Sequence, residues 1–485
     1  MLDILFSHSY YYKLDPKQWA NKTPYPPLGT LYAASKMRSS GYSVGLFDTN
    51  LKDDPTGITS IIDREKPKYL VIYDDGFNYL TKMCLTNMRN AAFRMIGLAK
   101  ERNCTVIVCS SDSTDHYDLY LDAGADFIIK GEAELTLAEL ISSLNKNEEF
   151  KQLLGIVYRE DNLTKINPNR PVLLDLDSLG QPAWDLVDID SYRNIWKEGG
   201  RTLSLNIATT RGCPYKCNWC AKPIYGNRYN AHSPQFIIDQ IKILQNQFGV
   251  RDYWMCDDIF GLKPKWVQEF NKLLKEQGLS ISYQIQSRVD LLLKDDTIDA
   301  LVQSGLKEVW VGAESGSQKI LDAMDKGTDV EQIYEATKLL KSKGVRVCFF
   351  LQFGYVGEKW EDIQKTIDMV LELVPDNIGI SVSYPLPGTK FFEMVKSQLD
   401  DKANWTDSDD LDLMFENTFG PKFYKTLHRY VHNRYRIKKG LNGLTKILTP
   451  SRYPLSKKIK DIARMIYHMP MSFFNRILLK KFSIK

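Results

Sequence analysis

The sequence predicts an α/β protein: an open, doubly wound parallel sheet, then six further strand–helix units, then a basic helical carboxyl-terminal region. Three observations predict it. Short apolar runs alternate with helical patterns through the first 145 residues, the alternation of a parallel sheet covered on both faces. The same alternation returns six times between 201 and 395, with longer amphipathic helices. Beyond Pro421 apolar residues recur at helical spacing among many lysines and arginines. The expected divisions are 1–145, a connector at 146–200, 201–395, and a carboxyl-terminal region at 396–485.

Composition excludes several classes. The 485 residues are 43% hydrophobic and 26% charged, which is ordinary for a soluble globular chain. Eight cysteines over this length are not a secreted disulfide framework. The amino end, MLDILFSHSY, lacks a basic n-region and a cleavage site, and no run of about eighteen apolar residues occurs. A cytoplasmic protein is expected.

In the first segment, strands are expected at Ile4–Ser7, Val44–Asp48, Tyr69–Tyr73, Val106–Cys109 and Phe127–Ile129. Helices are expected around Leu31–Ser39, Thr59–Arg64, Leu85–Lys100 and Leu119–Asp122. Ligands of such sheets sit at the carboxyl ends of the strands. That edge carries Ser7, His8, Asp74, Ser110, Ser111, Gly131 and Glu132. Cys104 and Cys109 read as core thiols, and Cys84 as the start of a helix. The connector is punctuated by Pro168, Pro171 and Pro182, with Gly155–Tyr158 and Val172–Leu174 as a candidate hairpin.

The six later strands are expected at Leu203–Thr209, Asp252–Cys256, Ser280–Gln286, Glu308–Gly312, Arg346–Gln352 and Ile378–Ser383, with helices such as Pro234–Gln247 and Lys359–Leu373. After the first of them comes Cys213-Pro-Tyr-Lys-Cys217-Asn-Trp-Cys220. Three cysteines in eight residues, opened by Gly212 and Pro214, can converge on one point. Thiolates select zinc, copper(I) or iron–sulfur clusters. No fourth Cys or His stands at zinc-finger spacing, since His232 lies twelve residues on and Cys256 sits in an apolar run. Three thiols and a vacancy suit a 4Fe–4S cluster with one open iron; a zinc knuckle, structural thiols or a disulfide are the alternatives.

This CxxxCxxC loop after the first of six parallel units resembles that of the radical S-adenosylmethionine (SAM) family, whose barrel is a partial (β/α)6. The resemblance implies that Cys213, Cys217 and Cys220 hold the 4Fe–4S cluster and that Trp219 packs near the adenine of SAM. It implies SAM contacts from Asp257 and Asp258 after the second strand, Arg288 after the third, Glu314 and Ser315 within Gly312-Ala-Glu-Ser-Gly-Ser317 after the fourth, and Gln352 at the fifth. Helix caps and surface ion pairs are the plainer roles for these residues. Tyr384-Pro-Leu-Pro-Gly-Thr389 matches a loop of cobalamin-dependent members.

The first segment resembles the Rossmann-like cobalamin-binding domain that precedes many such barrels, through Pro26-Pro-Leu-Gly-Thr-Leu31, Ala123-Gly-Ala-Asp126 and Lys130-Gly-Glu-Ala-Glu134. Cobalamin would then be met by Ser7, His8, Leu28, Gly29, Thr30, Ser110, Ser111, Gly131 and Glu132. The DxHxxG signature is missing, so no histidine ligand to cobalt is expected. A domain that has lost the cofactor is the alternative. The overall likeness is to the anaerobic Mg-protoporphyrin monomethyl ester cyclase branch. It implies reductive cleavage of SAM to a 5′-deoxyadenosyl radical, with a flavodoxin- or ferredoxin-like electron donor, and cobalamin-dependent methylation of an unactivated carbon. Oxidation or cyclisation without methyl transfer, methylthiotransferase-like tRNA modification, and a non-catalytic cluster- or corrin-binding protein are the competing readings. Cys84, Cys104 and Cys109 lack the spacing of the methylthiotransferase cysteines.

The last region opens on acids, Asp400, Asp401, Asp407, Asp409, Asp410 and Asp412, which suggest a lid or linker. From 422 to 485 there are seventeen Lys and Arg against one acid, Asp461, while the whole chain is only +4. A basic amphipathic tail suits peripheral contact with an anionic membrane, or a solvated helical cap; nucleic acid is the less favoured partner. A small-molecule or lipid-like substrate is expected.

Overall fold

The computed structural model describes residues 2–83, 85–222, 224–399, 405–406, 411, 413–445 and 455–483. Cys84 and the six acids of the expected lid lie outside the described residues. Two compact units are present: the described residues of 1–214, 221–285 and 405–406 form one, and those of 215–220, 286–399 and 411–483 the other.

The first unit contains a seven-stranded sheet. Strands β1 (Ile4–Ser7), β2 (Val44–Phe47), β3 (Tyr69–Tyr73), β4 (Thr105–Cys109) and β5 (Phe127–Ile129) are parallel, and β6 (Ile156–Glu160) and β7 (Leu163–Ile166) are antiparallel, in the order β2-β1-β3-β4-β5-β6-β7. The order reverses direction between β1 and β3, which makes that carboxyl edge the switch point of a doubly wound sheet. Strand residues alternate between two cores, as the period of two demands. Leu5, Leu70, Ile72, Val106, Val108 and Ile128 meet Ile58, Ile62, Ala92, Met95 and Ile96 on one face. Ile4, Phe6, Val71, Ile107 and Ile129 meet Ala33, Met37, Leu137 and Ile141 on the other.

Two expectations are corrected here. The hairpin partner of β6 is β7, not Val172–Leu174, which forms no strand. Asp161 and Asn162 both adopt positive φ, 50° and 61°, the two-residue turn geometry that matches the twist of a hairpin. The stretch read as a connector therefore begins by extending the sheet. A helix at Glu134–Lys146, unforeseen in the sequence, covers the second core with Leu137, Leu140 and Ile141.

The first unit also holds β8 (Ser204–Ile207), a two-residue antiparallel ribbon of β9 (Thr210–Arg211) and β10 (Asn230–Ala231), and β11 (Asp252–Met255), which pairs in parallel with β8 and with β12 (Ser282–Ser287). The division between the units falls within β12, after Ile285. In the second unit β13 (Leu306–Glu314), β14 (Arg346–Phe353) and β15 (Asn377–Val382) run parallel, with helices Val330–Ser342 and Trp360–Leu373 between successive strands. Two long helices, Pro421–Thr445 and Leu455–Phe482, close the chain. No helix among the described residues is long and apolar enough to cross a membrane.

Candidate active site

The cysteine loop leaves the carboxyl end of β8, the end at which barrel chemistry is placed. Its base is fixed by Asp257. One carboxylate oxygen accepts from the backbone N–H groups of Thr209 and Thr210 at 2.6 and 2.8 Å, and the other accepts from the Thr209 hydroxyl at 2.5 Å. Burial outweighs these three donors and pushes the Asp257 carboxyl up to about 7. Asp257 thus ties β11 to the start of the loop, while its neighbour Asp258 is exposed. The ribbon β9–β10 closes the loop at both ends, with Arg211 opposite Asn230. Gly212 turns out of the ribbon at φ +78°, and a Cβ there would stand 2.5 Å from the Arg228 carbonyl oxygen, so only glycine fits.

Arg211 is fully buried between two carboxylates, with Nη1 2.5 Å from Glu132 and Nη2 2.7 Å from Glu134. Tyr32, Phe77 and Tyr225 ring its guanidinium at 5.3–5.6 Å. Burial pushes Glu132 up, with Arg211 pulling against it. The Arg211 Nε, the second oxygen of Glu134 and the Thr210 hydroxyl are buried without a hydrogen-bond partner. His232 is held by Asp177 at 2.9 Å and Tyr32 at 3.3 Å and stacked on Phe236. Burial drives it down to about 4, so it is a neutral part of this packing.

In the second unit the turn Cys217–Cys220 is clamped by Asn218. Its N–H donates to the Met324 carbonyl at 3.0 Å and its side-chain amide to Ala323 at 2.7 Å. Its side-chain oxygen accepts from the Tyr355 hydroxyl at 2.9 Å, and its carbonyl from the Phe391 N–H at 3.0 Å. The Arg288 guanidinium lies over the Tyr215 ring, 3.8 Å from its centroid, with Nη1 3.9 Å from the Cys217 sulfur. Lys326 is buried; burial opposes its charge, but Glu314, 2.8 Å away, and Cys217 outweigh it and raise its pKa. Two cationic side chains, Arg288 and Lys326, thus interact with the Cys217 side chain. Trp219 stands beside these groups in sequence with its buried indole N–H unpartnered.

The strand-end residues divide by role. Glu314 takes a positive φ of 55° at a register shift between Gly312 and Glu314, a strained position held by the Lys326 pair. Ser315 is fully buried and bonds Thr366, while Ser317 bonds Asp362. A Cβ on Gly316 would meet the Lys365 carbonyl oxygen at 2.5 Å, so this glycine admits a neighbouring helix. Gln352 donates to Ser383 at 3.0 Å.

At the edge of the first sheet, Ser7 donates to the Phe47 carbonyl and Thr30 to that of Tyr73. His8 is engaged by Asp48 at 3.1 Å and by Thr49. Gly29 N–H donates to Asp75, and Leu28 is buried beside it. Ser110 and Ser113 cap the helix Ser111–Asp115 reciprocally. Gly131 has φ +74°, and Glu132 belongs to the Arg211 group.

No cysteine among the described residues is in a disulfide. Cys213, Cys217 and Cys220 are half-buried, whereas Cys104, Cys109, Cys256 and Cys348 are buried. Among the described residues no three His, Cys, Asp or Glu side chains stand as a ready-made metal site. The donor chemistry still fits a cluster: three accessible thiols on one short loop, with cations beside the middle one. Arg211, Asn218 and Lys326 escaped the sequence reading, because nothing local marks them; their partners lie 77 to 137 residues away or across a strand end.

The sequence profile of the Radical SAM superfamily matches residues 207–370. An uncharacterized methyltransferase of Pyrococcus horikoshii is 29% identical over 76% of this chain and 78% of its own. An anaerobic magnesium-protoporphyrin IX monomethyl ester cyclase of Rubrivivax gelatinosus is 25% identical over 80% of this chain and 69% of its own. The radical SAM methyltransferase TsrM from Kitasatospora setae, solved with cobalamin and a [4Fe-4S] cluster bound, aligns over 82% of this chain and 78% of its own at a TM-score of 0.68 and 18% identity. That last likeness is one of fold. The profile match marks residues 207–370 as a radical SAM domain.

Proposed function

We propose that the chain binds a 4Fe–4S cluster through Cys213, Cys217 and Cys220, cleaves SAM reductively, and methylates an unactivated carbon with cobalamin held at the edge of its first sheet. When bound, the cluster supplies one electron to the sulfonium of SAM, giving the 5′-deoxyadenosyl radical, and cobalamin supplies the methyl group. The observation that carries this reading is the three-cysteine loop at the carboxyl end of β8, inside the matched domain. The names of the Pyrococcus relative and of TsrM support methyl transfer.

The chain's own residues position these groups. Asp257 and the β9–β10 ribbon fix the loop at its base, and Asn218 fixes the turn of Cys217 and Cys220. Arg288 and Lys326 offset negative charge at Cys217. Trp219, whose buried indole N–H is unpartnered, is a proposed SAM contact. Asp258, Glu314, Ser315 and Gln352 are the further proposed SAM contacts, and Ser315 would act through its backbone, since its hydroxyl is engaged by Thr366. For cobalamin the support is the switch point between β1 and β3 and the unused polar atoms of Glu134, Arg211 and Thr210. The residues 1–145 would form the cobalamin domain and 201–395 the barrel. The substrate would be a small or lipid-like molecule, met by an enzyme in peripheral contact with a membrane, with electrons from a flavodoxin- or ferredoxin-like donor.

A second reading, oxidation or cyclisation without methyl transfer, is favoured by the cyclase relative. Titration of the anaerobic protein with hydroxocobalamin, followed by its absorption spectrum after desalting, tests the choice. Retention of about one corrin per chain, with S-adenosylhomocysteine formed beside 5′-deoxyadenosine, is expected. Release of all corrin with continued formation of 5′-deoxyadenosine would leave the second reading.

A further inference from the structure

The helix Leu455–Phe482 packs on Pro421–Thr445 through one narrow face. Met465, His468, Ser472 and Leu479 are buried there. His468 bonds Asn433 at 2.7 Å and Arg436 at 3.1 Å. Met465 and the Asp461 carbonyl lie against Gly440 so closely that a Cβ on that glycine would stand 2.4 Å from Met465 Cβ.

The opposite face is apolar and, among the described residues, exposed. Ile459, Ala463, Ile466, Pro470, Phe473 and Ile477 follow at alternating steps of four and three, which aligns them in one stripe about 27 Å long. Ile466 and Phe473 are 63% and 64% exposed, and Tyr467, Phe474 and Leu478 widen the stripe. An apolar face of this size in water marks a binding surface. Charge identifies the occupant. Between Ile459 and Phe482 there are five Lys and Arg and one acid, Asp461, which sits 3.8 Å from Arg464. By helical position, Lys460 and Arg464 flank the stripe on one side and Arg476 and Lys480 on the other.

We propose that this face is a membrane-docking surface, lying in the plane of an anionic bilayer with its apolar stripe at the acyl boundary and its cations among lipid phosphates. The helix is not apolar enough to cross a bilayer, and a strongly amphipathic basic helix binds at the interface instead. A second copy of the chain is a poorer occupant, because two such faces would bring like charges together. Pro470 on the stripe also leaves the Ile466 carbonyl without its helical partner, which a tight helix pair would bury. Nucleic acid is a poorer occupant still, since Ile459, Ile466 and Ile477 offer phosphates nothing. This surface stands on the helix alone and does not depend on the cluster chemistry.

The test is co-sedimentation of the full chain with vesicles of phosphatidylcholine alone and of phosphatidylcholine mixed with phosphatidylglycerol. Binding to the anionic vesicles, weakening as salt rises, is expected. Ile466→Asp with Phe473→Asp should weaken it roughly tenfold or more, and Arg476→Gln with Lys480→Gln should weaken it on anionic vesicles. All four side chains are exposed, so thermal unfolding should be unchanged and a loss of binding reads as a lost surface. Absence of sedimentation with either vesicle overturns the proposal. So does a dimer that Phe473→Asp dissociates in a protein that binds no vesicles, or an RNA gel shift without vesicle binding.

Discussion

The Arg288 guanidinium lies 3.9 Å from the Cys217 sulfur and over the ring of Tyr215, the residue two before that cysteine. It is held in place by Asp290 at 2.9 Å and by the carbonyls of Lys326 and Gly327 at 2.7 and 3.0 Å. With Cys217 as a ligand of the proposed cluster, a fixed positive charge beside its sulfur would favour the reduced state. Arg288→Lys, which keeps a charge but loses the fork, should lower the cluster's reduction potential modestly, and Arg288→Ala more strongly. Potentiometric titration followed by electron paramagnetic resonance measures this. Arg288→Ala also strands a partly buried carboxylate and should cost about 3 kcal/mol of stability.

Asn218 uses four hydrogen bonds to fix the cysteine turn. Asn218→Ala removes the two made by its side chain. Tyr355 and the Ala323 carbonyl still bond each other at 2.9 Å, so the cost should be only about 1–2 kcal/mol. Iron retained after reconstitution should fall by more than that loss of stability explains. A variant with full iron content would show that the turn is held by other contacts.

Arg211→Met should be among the costliest single changes in the first unit. It leaves Glu132 and Glu134 buried without their cation, a loss of about 3–5 kcal/mol. The loss should shrink at acid pH, because burial already raises the Glu132 carboxyl and favours its neutral form. Chemical denaturation at two pH values checks both the size and its pH dependence.

Glu358 supplies a pH signature. One of its oxygens accepts from the Gly354 N–H at 2.7 Å and the other is buried without a partner. Burial pushes the carboxyl from 4.5 up to about 8. Below its unfolded value the group is neutral in both states and its contribution to stability is fully present. As pH rises toward about 8 the unfolded chain ionises first, so stability is lost across that window, by on the order of 3–5 kcal/mol. Glu358→Gln keeps the Gly354 bond and removes the ionisation. Its unfolding free energy should therefore exceed that of the parent at pH 8 and match it near pH 4.

Much of this was written locally in the chain. The strands β1–β5 are short apolar runs, the six strands β8 and β11–β15 are apolar or alternating stretches between long helices, and the expected limits of all eleven lie within two residues of the observed ones. The strand β7, Leu-Thr-Lys-Ile, is half exposed and carries no such run. The stronger apolar signal of Val172–Leu174 therefore drew the pairing, although Asp161-Asn162 already carried the turn. The cysteine loop declared itself by spacing. Its supports did not: Asn218 and Arg211 matter through partners more than 70 residues away, and Ser315 and Gly316 look like a ligand loop yet pack on Lys365 and Thr366. Sequence reading finds the reacting groups more readily than the residues that hold them still.

The central claim is tested most directly by anaerobic reconstitution of the parent chain and of Cys213→Ala, Cys217→Ala and Cys220→Ala, with iron and sulfide measured before dithionite and SAM are added. About four irons per chain and release of 5′-deoxyadenosine are expected of the parent, with both lost in each variant. An unchanged cluster and continued nucleoside release in the variants would contradict it.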